Sequence, residues 1–259
     1  MLMQGSFMSE TLERQVGFTA ILPLDPYGPE AMRDTPLRTL YLLHDYMGSG
    51  PFWLTNYAVG KLSAMNNAAI IMPDGENHFY TDDDLFGYGW GRFVGEELVS
   101  YTRRVLPLSE KREDTVIGGF SMGGYGALLN GLRYRETFGK VVALAGALLT
   151  DEEADVNGLA PDGHGTDLYR SIFGDPAKVR GSHHDPAALA EQAVKAGGPL
   201  PDIFLAVGKE DSLRPVNLRF RDRLDAMGYP SFTFEEGAGG HDFDFAETFL
   251  FRGLEKVLH

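Results

Sequence analysis

Thr115-Val-Ile-Gly-Gly-Phe-Ser121-Met-Gly-Gly-Tyr-Gly-Ala127 joins an apolar run to a helix-compatible run through a serine set among small residues. Within it, Gly119-Phe-Ser121-Met-Gly123 is G-x-S-x-G in its expected context, a strand before it and a helix after it. So tight a turn puts the serine Oγ at a strained point above the sheet. Glycines leave room where the backbone folds on itself. The following helix directs its first N–H groups and its positive dipole end at the same spot. The Met122 N–H is then a natural donor to a developing oxyanion. From the pentapeptide alone, Ser121 could simply be small in a glycine-rich turn, but the flanking strand and helix favour a nucleophile. A phosphate-binding loop would need Lys-Ser/Thr after the glycines, and none follows.

Outward from this stretch, short apolar runs alternate with longer helical ones. Thr19–Pro23, Leu40–His44, Ala69–Met72, Thr115–Gly118, Val141–Leu144 and Ile203–Val207 read as strands. Most lack apolar/polar alternation, the pattern of parallel strands covered on both faces. Ser231–Glu235 does alternate and suits a sheet edge. Helical periodicity fits Gly95–Val105, Gly123–Tyr134, Val216–Met227 and Phe243–Leu258. Alternating strand and helix predicts an α/β fold with a mostly parallel sheet. Asp151 to Pro199 breaks the rhythm with Gly, Asp, Pro and Ala and with short helical pieces such as Ala187–Ala196. It reads equally as surface decoration or as a cap over the carboxyl ends of the strands, where ligands bind in open sheets.

The 259 residues fit one α/β domain, and 43% hydrophobic with 23% charged residues argues against a disordered chain. A net charge of −14 argues against nucleic acid and anionic membranes as partners. The chain has no cysteine, which excludes disulfides, zinc–thiolate sites, iron–sulfur clusters and a thiol nucleophile. Met1–Glu10 lacks the basic start and apolar stretch of a signal peptide, and no run reaches the ~20 apolar residues of a membrane span. The expectation is a cytoplasmic protein; self-association is left open.

A serine nucleophile needs a base, usually a histidine oriented by a carboxylate. On this scaffold the order is Ser, acid, His. His44 and His78 precede Ser121, His259 is terminal, and His164, His183 and His184 lie in the irregular insert. His241 remains, in the glycine-rich loop Gly237-Ala-Gly-Gly-His-Asp242 before the last helix. Asp202–Gly208 ends in Lys209-Glu210-Asp211, so the acid is Asp211 or Glu210. Asp211 is preferred because neighbouring side chains alternate and only one can face His241; it could also cap the helix that follows. The loop His44-Asp-Tyr-Met-Gly48 should supply a second oxyanion donor, the Tyr46 N–H, with His44 as a buried polar residue holding the loop. Of the aromatics near these loops (Phe52, Trp53, Phe79, Tyr80, Tyr88, Trp90, Tyr125), Phe52, Trp53 and Tyr125 are the candidates to line a pocket. Asp82–Asp84 reads as a solvated turn and His183-His184-Asp185 as too thin for a metal site, so no metal is expected.

These motifs resemble the tributyrin esterase and esterase D group of α/β-hydrolases, which includes S-formylglutathione hydrolases and feruloyl or acetyl-xylan esterases. The likeness runs through Leu40–His44, Met72–Gly75 with Phe79-Tyr80, Gly119–Ala127, Phe173–Pro176, Asp185-Pro186, Gly208–Asp211 and Gly240-His241. It implies an α/β-hydrolase fold over residues 1–259 with an insert at roughly 151–199. It also implies a Ser121–His241–Asp211 triad and an oxyanion hole from the Tyr46 and Met122 N–H groups. The expected function is that of a cofactor-free serine carboxylesterase acting on small short-chain acyl esters. Thioester or carbohydrate-ester substrates, acyl transfer to an alcohol, and a silent binding protein are the alternatives. One departure stands out: Asp45 takes the place where the family usually has glycine after the loop histidine. An anionic side chain there would oppose an oxyanion unless it points away or is paired.

Overall fold

Strands with two covered faces need two apolar layers, and the sheet of this protein has both. The computed structural model describes residues 1–24, 35–82, 88–150 and 165–258. In chain order the elements begin with β1 (Leu2–Ser9), β2 (Arg14–Ile21), β3 (Arg38–Leu43), α1 (Phe52–Asn56), α2 (Val59–Asn66) and β4 (Ala68–Pro73). A short helix α3 (Trp90–Arg92) runs through a π-helical turn into α4 (Leu98–Val105), before β5 (Thr115–Phe120), α5 (Met122–Arg133) and β6 (Lys140–Leu144). The insert contributes α6 (Gly165–Phe173), α7 (Pro176–Val179) and α8 (Pro186–Ala196). The chain closes with β7 (Asp202–Gly208), α9 (Arg214–Met227), β8 (Phe232–Gly237) and α10 (Phe243–Leu258).

The eight strands form one sheet in the order β1-β2-β4-β3-β5-β6-β7-β8. β2 is antiparallel to β1 and β4, and the remaining pairs are parallel. Along β3, Tyr41 and Leu43 enter one core with α4, α5, α8 and α9, while Leu40 and Leu42 enter the other with α1, α2 and α10. Burial of both faces is why these strands read as unbroken apolar runs. β8 alternates and lies at an edge, as expected. Among the described residues no helix is long and apolar enough to cross a membrane.

Two differences from the sequence reading have physical causes. Leu2–Ser9 is a strand paired with β2 over its whole length. It escaped notice because it is an outer edge strand whose alternate residues Leu2, Gln4, Ser6 and Met8 face solvent. Helical structure also begins before Gly95, at Trp90, and Gly95 lies there because the Tyr134 ring fills the space a side chain would need.

The first half of the insert, residues 151–164, lies outside the described residues. In the rest, Asp175 and Asp185 each precede a proline and accept the N–H two residues on, at 3.1 and 3.0 Å, starting α7 and α8. Asp185 is buried and also takes Arg223 of α9 at 2.9 Å, which ties the insert to the main fold. His184 pairs its Nδ1 with the Thr81 hydroxyl at 2.8 Å, and its carbonyl accepts the Tyr125 O–H at 2.7 Å. Asp82 pairs with Arg133; Asp83, Asp84, His164 and His259 lie outside the described residues.

Candidate active site

The turn from β5 to α5 is held by its neighbours. Ser121 has φ +58° and ψ −115°, a left-handed conformation that costs a non-glycine residue about 1–3 kcal/mol. Its N–H donates to the Leu144 carbonyl at 2.9 Å, and its carbonyl accepts from Tyr125 and Ala147 at 3.0 and 2.9 Å. A Cβ on Gly119 would meet the Gly123 carbonyl oxygen at 2.5 Å, and one on Gly123 would overlap the carbonyl of Leu43. Both glycines are therefore required by close approach of backbone to backbone. Met122 opens α5, so its N–H is one of the first four that helix geometry leaves without an intrahelical acceptor.

His241 and Asp211 come to Ser121 from the ends of β8 and β7. His241 Nε2 lies 2.9 Å from Ser121 Oγ, and Nδ1 lies 2.8 Å from Asp211 Oδ2. Phe120 stacks on the imidazole with ring centres 4.5 Å apart. Asp211 is buried, and its other oxygen accepts the Leu213 N–H at 2.7 Å. It is thus both the partner of His241 and the first anchor of the turn into α9. Glu210, its rival, points elsewhere: its Oε2 accepts the Gly239 N–H at 2.9 Å and clamps the loop that carries His241. On the other flank Asp242 accepts the N–H groups of Phe245 and Gly240 at 2.8 and 2.9 Å, which lowers its pKa.

The loop after β3 is oriented by His44. Its Nδ1 is 2.7 Å from the Asp45 carbonyl, and its Nε2 accepts the Gly75 N–H at 2.9 Å. This fixes the Nδ1–H tautomer, and burial lowers the pKa, so the ring is neutral. The Asp45 carbonyl also accepts the Gly48 N–H at 3.0 Å. Because a peptide unit is planar and trans, pinning that carbonyl aims the Tyr46 N–H of the same unit the opposite way. The Asp45 carboxylate is turned back over its own loop: its Oδ1 occupies the space a side chain on Gly48 would need. Burial raises its pKa, offset in part by its own N–H and by His241.

A cavity of about 300 Å³ opens at the serine. Ser121, His241, Met122 and Tyr46 line one part of it; Phe79, Ala147, Leu149, Leu213 and Val216 form an apolar part, with Ser212 also present. Of the aromatics read from the sequence, Phe79 lines this cavity, whereas Phe52, Trp53 and Tyr125 do not. Trp53 is buried beneath the sheet, tilted against Tyr57 with ring centres 4.4 Å apart. Phe52 leans on Phe243, and Tyr125 is turned to the insert by its hydrogen bond to His184. The sequence reading missed Leu149, Leu213 and Val216, apolar residues that ordinary core burial would equally explain. Among the described residues no group of three or more His, Cys, Asp or Glu could hold a metal.

The family described as "Putative esterase" matches residues 9–243. The chain belongs to this esterase family. An acetyl esterase of Caldicellulosiruptor saccharolyticus is 38% identical over 258 residues, 98% of this chain and 97% of that protein. Among solved structures, the esterase is similar to the fluorophosphonate-binding serine hydrolase FphF of Staphylococcus aureus. The TM-score is 0.85 and the identity 28%, over 100% of this chain and 98% of the other. It is also similar to the S-formylglutathione hydrolase FrmB of the same organism, with a TM-score of 0.83 at 27% identity, over 100% and 99% of the two chains.

Asp45→Gly tests the departure noted in the loop. With the carboxylate folded over Gly48, kcat should change far less than the roughly 100- to 1000-fold that an oxyanion donor is worth. The sign of the stability effect follows from the raised pKa. The folded chain holds this proton more tightly than the unfolded one, so the contribution declines as pH rises from about 3.9 through the folded value. Glu97 and Asp242, whose carboxyls are held low by hydrogen bonds, contribute with the opposite sign, so as pH is raised through the acid range the melting temperature should rise more steeply for the variant than for the wild type. A large rise in kcat would instead show the carboxylate opposing the oxyanion.

Proposed function

We propose that this esterase hydrolyses short-chain acyl esters through an acyl-enzyme on Ser121, with His241 as general base and acid and Asp211 as its orienting carboxylate. Ser121 Oγ attacks the ester carbonyl while His241 Nε2 takes the hydroxyl proton. The oxyanion of the tetrahedral intermediate is received by the Met122 and Tyr46 N–H groups. On collapse the C–O bond to the alcohol breaks, and His241 returns the proton to the leaving oxygen. Water, deprotonated by the same imidazole, then attacks the acyl carbonyl and frees the acid and Ser121. The observation that carries this reading is the unbroken relay from Asp211 to His241 to Ser121, at 2.8 and 2.9 Å, opening on a small cavity with an apolar wall.

A series of p-nitrophenyl esters, run beside S-formylglutathione, tests the substrate class. Acetyl to butyryl esters should be turned over fastest. Rates that climb steadily to octanoyl and beyond would point to an open groove, and a dominant rate on the thioester would move the substrate class. The proton route predicts a pH profile as well. Acid protonates the imidazole that must accept the Ser121 proton, so kcat/KM should rise with pH through the acid limb. A flat profile between about pH 5 and 8 would contradict a histidine base.

A further inference from the structure

The segment Gly75–Tyr80 after β4 holds an unusual backbone. Phe79 and Tyr80 are consecutive bulky residues at φ +54° and +53°. Such a conformation persists only where the surroundings fix it. Tyr80 is explained by its bonds: its hydroxyl donates to the His44 carbonyl at 3.1 Å, and its own carbonyl accepts from Asn130 at 2.8 Å. It clasps the loop after β3 to α5. Phe79 has no such polar task. Its left-handed backbone turns the ring to the catalytic cavity, where it is 1% exposed. Behind it stands Phe173 of α6, with ring centres 5.3 Å apart, and beside it Tyr125 at 5.9 Å. Phe173 is itself buried and packed edge-on against His184, whose side chain is bonded to Thr81. The Phe79 ring is thus a partition between the cavity at Ser121 and the aromatic packing of the insert.

We propose that Phe79, backed by Phe173, is the wall that limits acyl chain length in this esterase. This rests on the acyl-enzyme reading and adds to it which residue sets the limit and how the insert enforces it. The insert then acts on specificity from behind the wall, through Phe173, without touching the reacting atoms. Phe79 is a specificity-determining residue: removing its ring should extend the cavity toward Phe173 and leave Ser121, His241 and Asp211 in place.

The experiment uses Phe79→Gly, because glycine adopts the left-handed backbone without strain, and p-nitrophenyl esters from acetyl to octanoyl. Each methylene newly accommodated is worth roughly fourfold in kcat/KM, so hexanoate should gain about 15-fold over butyrate relative to the wild type. The readout is the ratio of hexanoate to butyrate kcat/KM within each variant, to which a general loss of turnover does not contribute. Phe173→Leu should shift the profile the same way by less, and Phe79→Leu, closer in volume, provides a folded partner should the glycine variant melt early. Folded variants that keep the wild-type chain-length profile would overturn the proposal while leaving the triad reading intact. A gain seen when the alcohol is lengthened, and not when the acyl group is, would overturn it too by placing Phe79 on the leaving-group side. Failure of the triad reading itself would appear separately, as activity that persists without Ser121.

Discussion

Ser121→Ala should lower ester turnover by roughly ten-thousand- to a million-fold and leave the protein folded. On the proposed mechanism the variant loses the atom that attacks the carbonyl and forms the acyl-enzyme, the hydroxyl that lies 2.9 Å from His241 Nε2. Binding and the proposed oxyanion donors would then account for the residual rate. Folding should be nearly untouched, because alanine keeps the Cβ and every backbone bond that fixes the φ +58° turn. The check is kcat on an acetyl ester beside a thermal melt. A variant with a wild-type melting temperature that retained most of its activity would remove Ser121 from the mechanism.

Asp211→Asn should cost roughly ten-thousand-fold in kcat. The reason is a tautomer. One oxygen of residue 211 already accepts the Leu213 N–H, so an asparagine keeps its oxygen there and turns its amide N–H₂ toward His241 Nδ1. The imidazole must then carry its proton on Nε2, facing Ser121 Oγ, where it can no longer accept one. Glu210→Gln should cost only a small fraction of this, because Glu210 acts on the loop and not on the ring. Comparison of the two variants under the same conditions decides the acid; a larger loss at Glu210 would reverse the assignment.

The elements that both sequence and structure agree on are those where local chemistry and tertiary packing ask for the same residues. Gly119 and Gly123 were legible because close backbone contact admits nothing larger. β3 to β7 were legible because burial on both faces writes unbroken apolar runs. His241 and Asp211 could be chosen by chain order and strand ends, since loops at those ends converge above Ser121. The choice between Glu210 and Asp211 came down to alternation of side chains, and the structure gives each carboxylate its own task. β1 was hidden because an outer strand with one solvent face carries Gln4, Gly5 and Ser6, which do not read as a strand. The pocket wall was hidden for a different reason. An aromatic after a strand reads the same whether it enters the core, as Trp53 does, or turns to the cavity, as Phe79 does. What separates them is tertiary: Trp53 lies on α1 beneath the sheet, whereas Phe79, at φ +54°, packs on Tyr125 of α5 and Phe173 of α6, contacts remote in sequence. Asp45 illustrates the same limit: the substitution was visible, but the direction of its carboxylate depends on the fold of the loop back toward Gly48.

The central claim is that Ser121 is the nucleophile, and covalent labelling tests it most directly. A fluorophosphonate requires a serine activated by a base and an oxyanion hole that receives the phosphoryl oxygen. Intact-mass measurement of the labelled protein should give a single adduct, peptide mapping should place it on Ser121, and an excess of a short-chain ester should slow its formation. Ser121→Ala should take up none. An unlabelled wild-type protein, or an adduct on any other residue that accompanies loss of activity, would contradict the account.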